Sequence, residues 1–394
     1  NTLIAWSKAI QKDKSQSFEY IKKIPKHYGN LTKIQTALLS CYFNKDDTLF
    51  TFQNLVESED YNFSRYNFFL VNYLLYEKKN FEIKKIISKS RLKDDSNLLL
   101  KQTQKHIENN EKNKIKRLFN CKNANHSIAE FFYIIANLYA SEKNYILSNF
   151  YLKISLFLNN KFETNQALLA ENYFYQKKYK ASKKIYNSLK SIGSEYSWHS
   201  SKVISKILLE EKGTDFSISN LEKEFKLLKH PNFQHFYELA NFYKENEYYK
   251  ESIKYYSLAL EKIEKNHILF PKILDRRGAS YERIGDWEKG EKDLMESLKL
   301  LPDQPHVLNY LGYTWIDKGI NIDEGLEMIK KANRLRKGDG YIIDSLGWAY
   351  FIKKNYIEAE QYLQTAVELL PEDPIINDHY ADNLWMLNKR IQAR

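Results

Sequence analysis

A unit of about 34 residues recurs in register along most of this chain, and few architectures are compatible with that constraint. The clearest copy runs from Gly340 to Asp373. Its skeleton is Ile343, Leu346, Gly347 and Tyr350, then Tyr356, Ala359, Leu363 and Ala366, closing at Pro371. Each set of four falls on one helix face, because steps of three and four residues return to the same side. Two short helices of this kind cannot bury their apolar faces alone. Each pair must stack on its neighbours, which makes an array of helix pairs with a continuous core.

The register continues backward from this copy. Pro305–Asp339 carries Leu308, Leu311, Gly312 and Trp315, with one extra residue before Gly325 and Ala332. Upstream, Leu274, Gly278, Tyr281 and Leu294 repeat the pattern, as do Phe236, Leu239, Ala240, Tyr243 and Ser252. Looser copies reach back to Ala129. The spacing of a large residue, Leu-Gly, an aromatic, Ala and Pro is that of the tetratricopeptide unit. The fold class expected is therefore all-α: a tetratricopeptide-type α-solenoid, a superhelix of antiparallel helix pairs. Residues 129–394 are read as seven units plus one truncated unit that begins at Pro374. Residues 1–128 are read as degenerate helical repeats, since Ala37 and Val71, like Cys41 and Leu75, are 34 apart. Within them, 88–128 is expected to be a degenerate helical pair or a connector. Gly278, Gly312, Gly347 and Ala381 are expected to meet Ala359, Ser252, Ser182 and Ser148, or their counterparts, where the helices of a unit touch.

Thirty tyrosines and 22 phenylalanines are first of all filling for the gaps between pairs. The net charge of +11 invites a nucleic-acid reading, but its distribution argues against one. Residues 271–394 hold 18 basic and 21 acidic residues, so the whole excess lies upstream. There it is spread as single lysines such as Lys177, Lys178, Lys180, Lys183 and Lys184, the pattern of a solvated basic face. An RNA-binding helical-repeat protein using this basic part remains the alternative. Cys41 and Cys121 have no CxxC spacing and are read as two buried thiols, a disulfide being unsignalled. No run of 18 apolar residues occurs; Phe131–Ala140 fits a repeat's first helix better than a membrane span. The chain begins at Asn1, so a processed start is expected and any signal peptide would lie outside it.

Catalytic motifs are missing: there is no GxGxxG, no GxxxxGK and no HExxH. His230 and His235 flank Pro231 and do not have the spacing of a helical metal pair. Asp378 and Asp382 share a helix face with His379 about 100° away, and no nucleophile or ligand is placed beside them. No enzyme activity, cofactor or metal is therefore expected. The informative stripe lies on the first helix of each unit, at the positions that the core does not use. The fifth position reads Asp275, Asn309, Asp344, Asp378; the ninth Ala279, Tyr313, Trp348, Asp382; the twelfth Glu282, Ile316, Phe351, Trp385. Asn309, Tyr313, Asp344, Trp348, Phe351, Asp378, Asp382 and Trp385 are thus the candidate partner-binding residues. Aromatics give apolar contact at low entropy cost, and side-chain oxygens accept hydrogen bonds from a peptide.

The segments LNYLGYTWIDKG (308–319), DEGLEMIKKA (323–332), DGYIIDSLGWAY (339–350) and PEDPIINDHYADNLW (371–385) go beyond generic repeats. Over about 305–390 the chain resembles a bacterial family of long cell-envelope tetratricopeptide proteins, often lipoproteins of the outer membrane. Relatives in that family act as adaptors that bind a periplasmic carboxyl-terminal processing protease and deliver substrates to it. The resemblance implies a non-enzymatic adaptor or scaffold with a protein or peptide partner, periplasmic and outer-membrane-associated. Any membrane attachment would run through an N-terminal anchor outside this sequence. A cytoplasmic scaffold of the same fold is the alternative.

Overall fold

The computed structural model describes residues 1–58, 63–92 and 97–393, and the side chains of 90–92 are not among them. Contacts divide the chain into two compact units, 1–229 and 230–394. Among the described residues there are helices and turns and no strand.

Unit 1 opens with four pairs: α1 (Thr2–Ile10) with α2 (Lys14–Lys22), α3 (Gly29–Tyr42) with α4 (Thr48–Val56), α5 (Tyr66–Tyr76) with α6 (Asn80–Leu92), and α7 (Leu98–Glu108) with α8 (Lys112–Leu118). Three more follow: α9 (Ala124–Ser141) with α10 (Tyr145–Leu158), α11 (Gln166–Tyr175) with α12 (Tyr179–Leu189), and α13 (Ser194–Lys212) with α14 (Thr214–Lys226). Of the stretch 88–128, residues 93–96 lie outside the described residues, 88–92 end α6, and α7 and α8 form a helical pair within 97–128; Ala37 and Val71 sit on the first helices of successive pairs. Unit 2 continues with α15 (Phe233–Glu245) and α16 (Tyr249–Lys262), α17 (Phe270–Arg283) and α18 (Trp287–Leu300), α19 (Pro305–Asp317) and α20 (Ile322–Leu335), and α21 (Gly340–Ile352) and α22 (Tyr356–Leu369), ending with α23 (Pro374–Met386).

Small residues set the approach of the two helices in a pair. A Cβ on Gly312 would stand 2.7 Å from the Gly325 carbonyl oxygen, and one on Gly325 would stand 2.8 Å from that of Gly312. Gly278 and Gly290 face each other in the same way at 2.9 Å. Real Cβ atoms do not come that close to backbone, so only glycine permits these crossings. Serine solves the problem differently. Ser182 Oγ donates to the Ala170 carbonyl (2.8 Å) and Ser217 Oγ to the Ser205 carbonyl (2.6 Å), each 12 residues back at the same crossing. The first helices start on side-chain caps: Asp339 accepts from the backbone of Tyr341 and Ile342, and Asp373, one repeat later, from Ile375 and Ile376. His235 closes a capping box with Asn232 at the start of α15, which is the structural use of that histidine.

In unit 1 the irregular N-terminal pairs are closed onto the regular ones. α9 packs against α1 and α3. Arg65, at the start of α5, gives Nε and Nη2 to the two carboxylate oxygens of Glu130 on α9 at 2.8 Å each, and Nη2 also to Asn165 Oδ1 at 2.9 Å. Its guanidinium lies 3.8 Å from the Tyr133 ring centroid. The two cysteines do not remain thiols as the sequence suggested. Cys41 and Cys121 form a disulfide with Cα atoms 5.8 Å apart. One lies near the end of α3 and the other in the loop before α9, and the α9 packing brings them together. Lys122 Nζ ties the same corner, donating to the Cys41 carbonyl (3.1 Å) and to Asn44 Oδ1 (3.0 Å). The compact unit that holds these closures runs on to 229.

Candidate partner-binding surface

On α21 the residues Ile343, Leu346 and Gly347 turn into the core, leaving Trp348 and Phe351 half-buried on another face. That division follows from helix geometry: the ninth and twelfth positions are three apart and lie together, off the core line. The Trp348 indole stacks with two other rings. Phe351 lies parallel at 4.7 Å and 12°, and His379 of α23 at 4.1 Å and 17°. Tyr313 of α19 approaches the same imidazole at 6.4 Å. Two candidate aromatics, Trp348 and Tyr313, from two successive first helices therefore meet one residue that the sequence stripe did not include, and Phe351 joins through Trp348.

His379 is positioned by Asp344. Its Nδ1 lies 3.0 Å from both carboxylate oxygens, so Nδ1 carries the proton and donates. Both residues are buried. Asp344, assigned from sequence to an oxygen ladder facing a partner, spends its carboxylate on the histidine. The signal for this contact was present in the register. His379 occupies the sixth position of its helix, and its side chain reaches back to the preceding unit. Tyr310 does so too, its hydroxyl donating to Glu282 Oε2 at 2.8 Å.

The other candidates are distributed as follows. Asn309 is half-buried on α19, its Oδ1 enclosed and without a hydrogen-bond partner; Trp348 Nε1 is in the same condition. Each such atom costs about 1–3 kcal/mol while unsatisfied. Asp378 and Asp382 are exposed on α23, and Trp385 is 48% exposed with Arg390 over its ring at 5.0 Å. Ile316, which shares the twelfth position, is buried instead and belongs to the core.

Electrostatics along the stripe reflect burial. Burial pushes the Tyr313 phenol up to about 12, with Asp317 and Asp344 adding to it. Burial also raises the Asp275 carboxyl, against the opposing charges of His306 and Arg276. The surface thus offers a half-buried aromatic stack with an enclosed N–H, beside exposed carboxylates. That chemistry suits an apolar side chain and a cation.

No family model matches the chain. Over 103 residues it is 34% identical to a TPR repeat-containing protein of Pseudomonas aeruginosa, covering 26% of this chain and 18% of that relative's length. This chain carries a tetratricopeptide array. Solved structures with related helix arrangements include a tetratricopeptide repeat protein from Parabacteroides merdae, at 19% identity and TM-score 0.41, covering 50% of this chain and 76% of that one. MamA from Desulfovibrio magneticus is 17% identical with TM-score 0.37, covering 42% of this chain and 91% of its own. YrrB, a TPR protein with an unusual peptide-binding site, is 17% identical with TM-score 0.35, covering 45% and 88%.

Proposed function

We propose that this tetratricopeptide protein is a non-enzymatic interaction scaffold whose unit 2 binds a peptide or a protein segment. The observation that carries this reading is the stack of Phe351, Trp348 and His379 with Tyr313 beside it, set off the core line of the first helices. Asn309, Asp378, Asp382 and Trp385 complete the surface, and Asp344 acts beneath it by holding His379. An apolar partner side chain would lie against the Trp348 and Phe351 rings, and a lysine or arginine would meet Asp378 and Asp382. The adaptor role for a carboxyl-terminal processing protease is the finer form of this proposal and draws support from the resemblance over about 305–390. An extracytoplasmic location is likewise proposed. Its support is the Cys41–Cys121 disulfide, because such bonds persist in oxidising compartments.

The test is selection of peptides from a random display library on the full chain. Affinities of the selected peptides are then measured by fluorescence. Trp348→Ala should weaken binding by about tenfold or more, near 1.4 kcal/mol, while Lys250→Ala on the outer face of α16 should change nothing. In folding stability the order should reverse, with Leu346→Ala costing more than Trp348→Ala. Peptides indifferent to Trp348 would end the reading and leave the fold untouched.

A further inference from the structure

The outward face of α10 breaks the pattern of its neighbours. In the second helices from α10 to α22 a small residue marks the crossing with its partner, and the residues two before and two after it point away from the core. Around Ser182 these are Lys180 and Lys184; around Ser217, Asp215 and Ser219; around Ser252, Lys250 and Lys254. Around Gly290 they are Glu288 and Lys292, and around Gly325, Asp323 and Glu327. α22 has one apolar member, Ile357, beside Gln361. Around Ser148 in α10 both are apolar: Ile146 is 79% and Phe150 56% exposed, and two turns on Phe157 is 87% exposed. At 100° per residue these three and Lys153 share an arc of about 60°, along about 16 Å of helix. Single exposed apolar residues are ordinary, but a row of them on one helix is not.

The setting is basic. Residues 145–190 contain eight lysines and two glutamates, with no aspartate and no arginine. Lys180 and Lys184 of α12 lie 34 residues after Ile146 and Phe150, so the lysine row and the apolar row occupy equivalent outward positions of successive pairs. Lys153, Lys180 and Lys184 make no ion pair among the described residues. Two features separate the partner classes that such a face fits. Ile146 offers no ring on which a base can stack. The planar forks with which arginine grips nucleic-acid phosphates are missing from the whole span between Arg117 and Arg276. An apolar line flanked by long-stemmed lysines suits a lipid boundary instead.

We propose that the outward face of α10, with the lysines of α12 beside it, seats on an anionic phospholipid surface. Ile146, Phe150 and Phe157 enter the boundary between headgroups and acyl chains, and Lys153, Lys180 and Lys184 meet headgroup phosphates. The helix lies on the membrane and does not cross it: no helix among the described residues is long and apolar enough to span a bilayer.

The experiment is co-sedimentation of the full chain with vesicles of equal parts phosphatidylglycerol and phosphatidylcholine, against phosphatidylcholine alone. Binding is expected on the anionic vesicles and should fall by about tenfold or more in Ile146→Ser/Phe150→Ser/Phe157→Ser. Those side chains are exposed, so the variant's circular dichroism and melting temperature should match the parent's. Lys180→Glu/Lys184→Glu should weaken binding and flatten its salt dependence. Phe157→Trp should blue-shift its emission on the same vesicles. Failure to sediment with anionic vesicles, or equal sedimentation of the triple serine variant, overturns the proposal. So does oligouridylate binding that Lys180→Glu/Lys184→Glu abolishes while vesicles are ignored. A dimer that the serine variant dissociates, with no vesicle binding, overturns it in favour of a second copy.

Discussion

Replacing Arg65 by methionine should be among the most damaging single changes in unit 1. Glu130 is the reason. Its side chain is 0% exposed, and Arg65 engages both of its carboxylate oxygens at 2.8 Å. Without that guanidinium the remaining hydrogen bond is the Tyr66 hydroxyl at 3.4 Å, which is too long to satisfy a buried charge. Methionine keeps much of the side-chain volume against Tyr133 and Phe162, so the loss is electrostatic rather than a cavity. Breaking one side of a buried pair costs about 3–5 kcal/mol. The reciprocal change should be milder. In Glu130→Gln the arginine, 16% exposed, still reaches water, Asn165 and the Tyr133 ring. The double change Arg65→Met/Glu130→Leu should recover most of the loss, because two apolar groups leave no uncompensated charge. Urea unfolding of the full chain, followed by far-ultraviolet circular dichroism and by tryptophan fluorescence, gives the four stabilities of the cycle. The reasoning fails if Arg65→Met costs less than about 1 kcal/mol. It also fails if Glu130→Gln costs more than Arg65→Met, or if the double variant is no better than Arg65→Met alone.

At the α21–α22 crossing, a Cβ on Gly347 would stand 2.6 Å from Leu363 Cγ, so Gly347→Leu should cost about 2 kcal/mol or more, read as a lowered unfolding midpoint. Cys41→Ser should lower stability by about 4 kcal/mol, since the bond closes a loop with a sequence separation of 80; alkylation of the protein from intact cells should find both cysteines blocked. Acid should weaken unit 1 through two histidines. Burial, partly countered by Glu111, holds His106 below the ordinary imidazole value, and burial with Lys161 does the same for His126. His126 Nδ1 accepts the Asn120 amide at 3.0 Å, a bond that protonation there would break. The folded chain therefore binds fewer protons than the unfolded one. Stability is complete above about pH 6.5 and falls as pH drops through that value, and the fall should shrink in His106→Gln/His126→Gln.

The helices, their pairing and their close crossings were legible in the sequence because each depends on contacts within one repeat. Gly312 and Gly325 meet 13 residues apart, and the pattern of small residues records that directly. Contacts between repeats were harder to read. Asp344 looked like a free oxygen because its partner, His379, lies 35 residues on, one repeat and one residue away. Tyr310, at the same helix position as His379 but one unit before Asp344's own, makes the comparable reach to Glu282. The cysteine pair had no such rule. Cys121 sits outside any helix, and only the packing of α9 against α3 brings it to Cys41. The apolar row on α10 was hidden for another reason: in a helix rich in aromatics, outward and inward positions look alike until the crossing residue Ser148 fixes the phase.

The long closures of unit 1 make the two halves of this chain unequal as evolutionary material. In unit 2 each pair answers mainly to its neighbours, so a whole 34-residue block can be duplicated or excised without retuning distant parts. The stretch between Cys41 and Cys121 and that between Arg65 and Glu130 are instead spans of set length with both ends fastened. A gain or loss of one block there would pull a disulfide and a buried charge pair out of register at once. Related chains should accordingly vary in repeat number after residue 229 and hold it constant between residues 41 and 130.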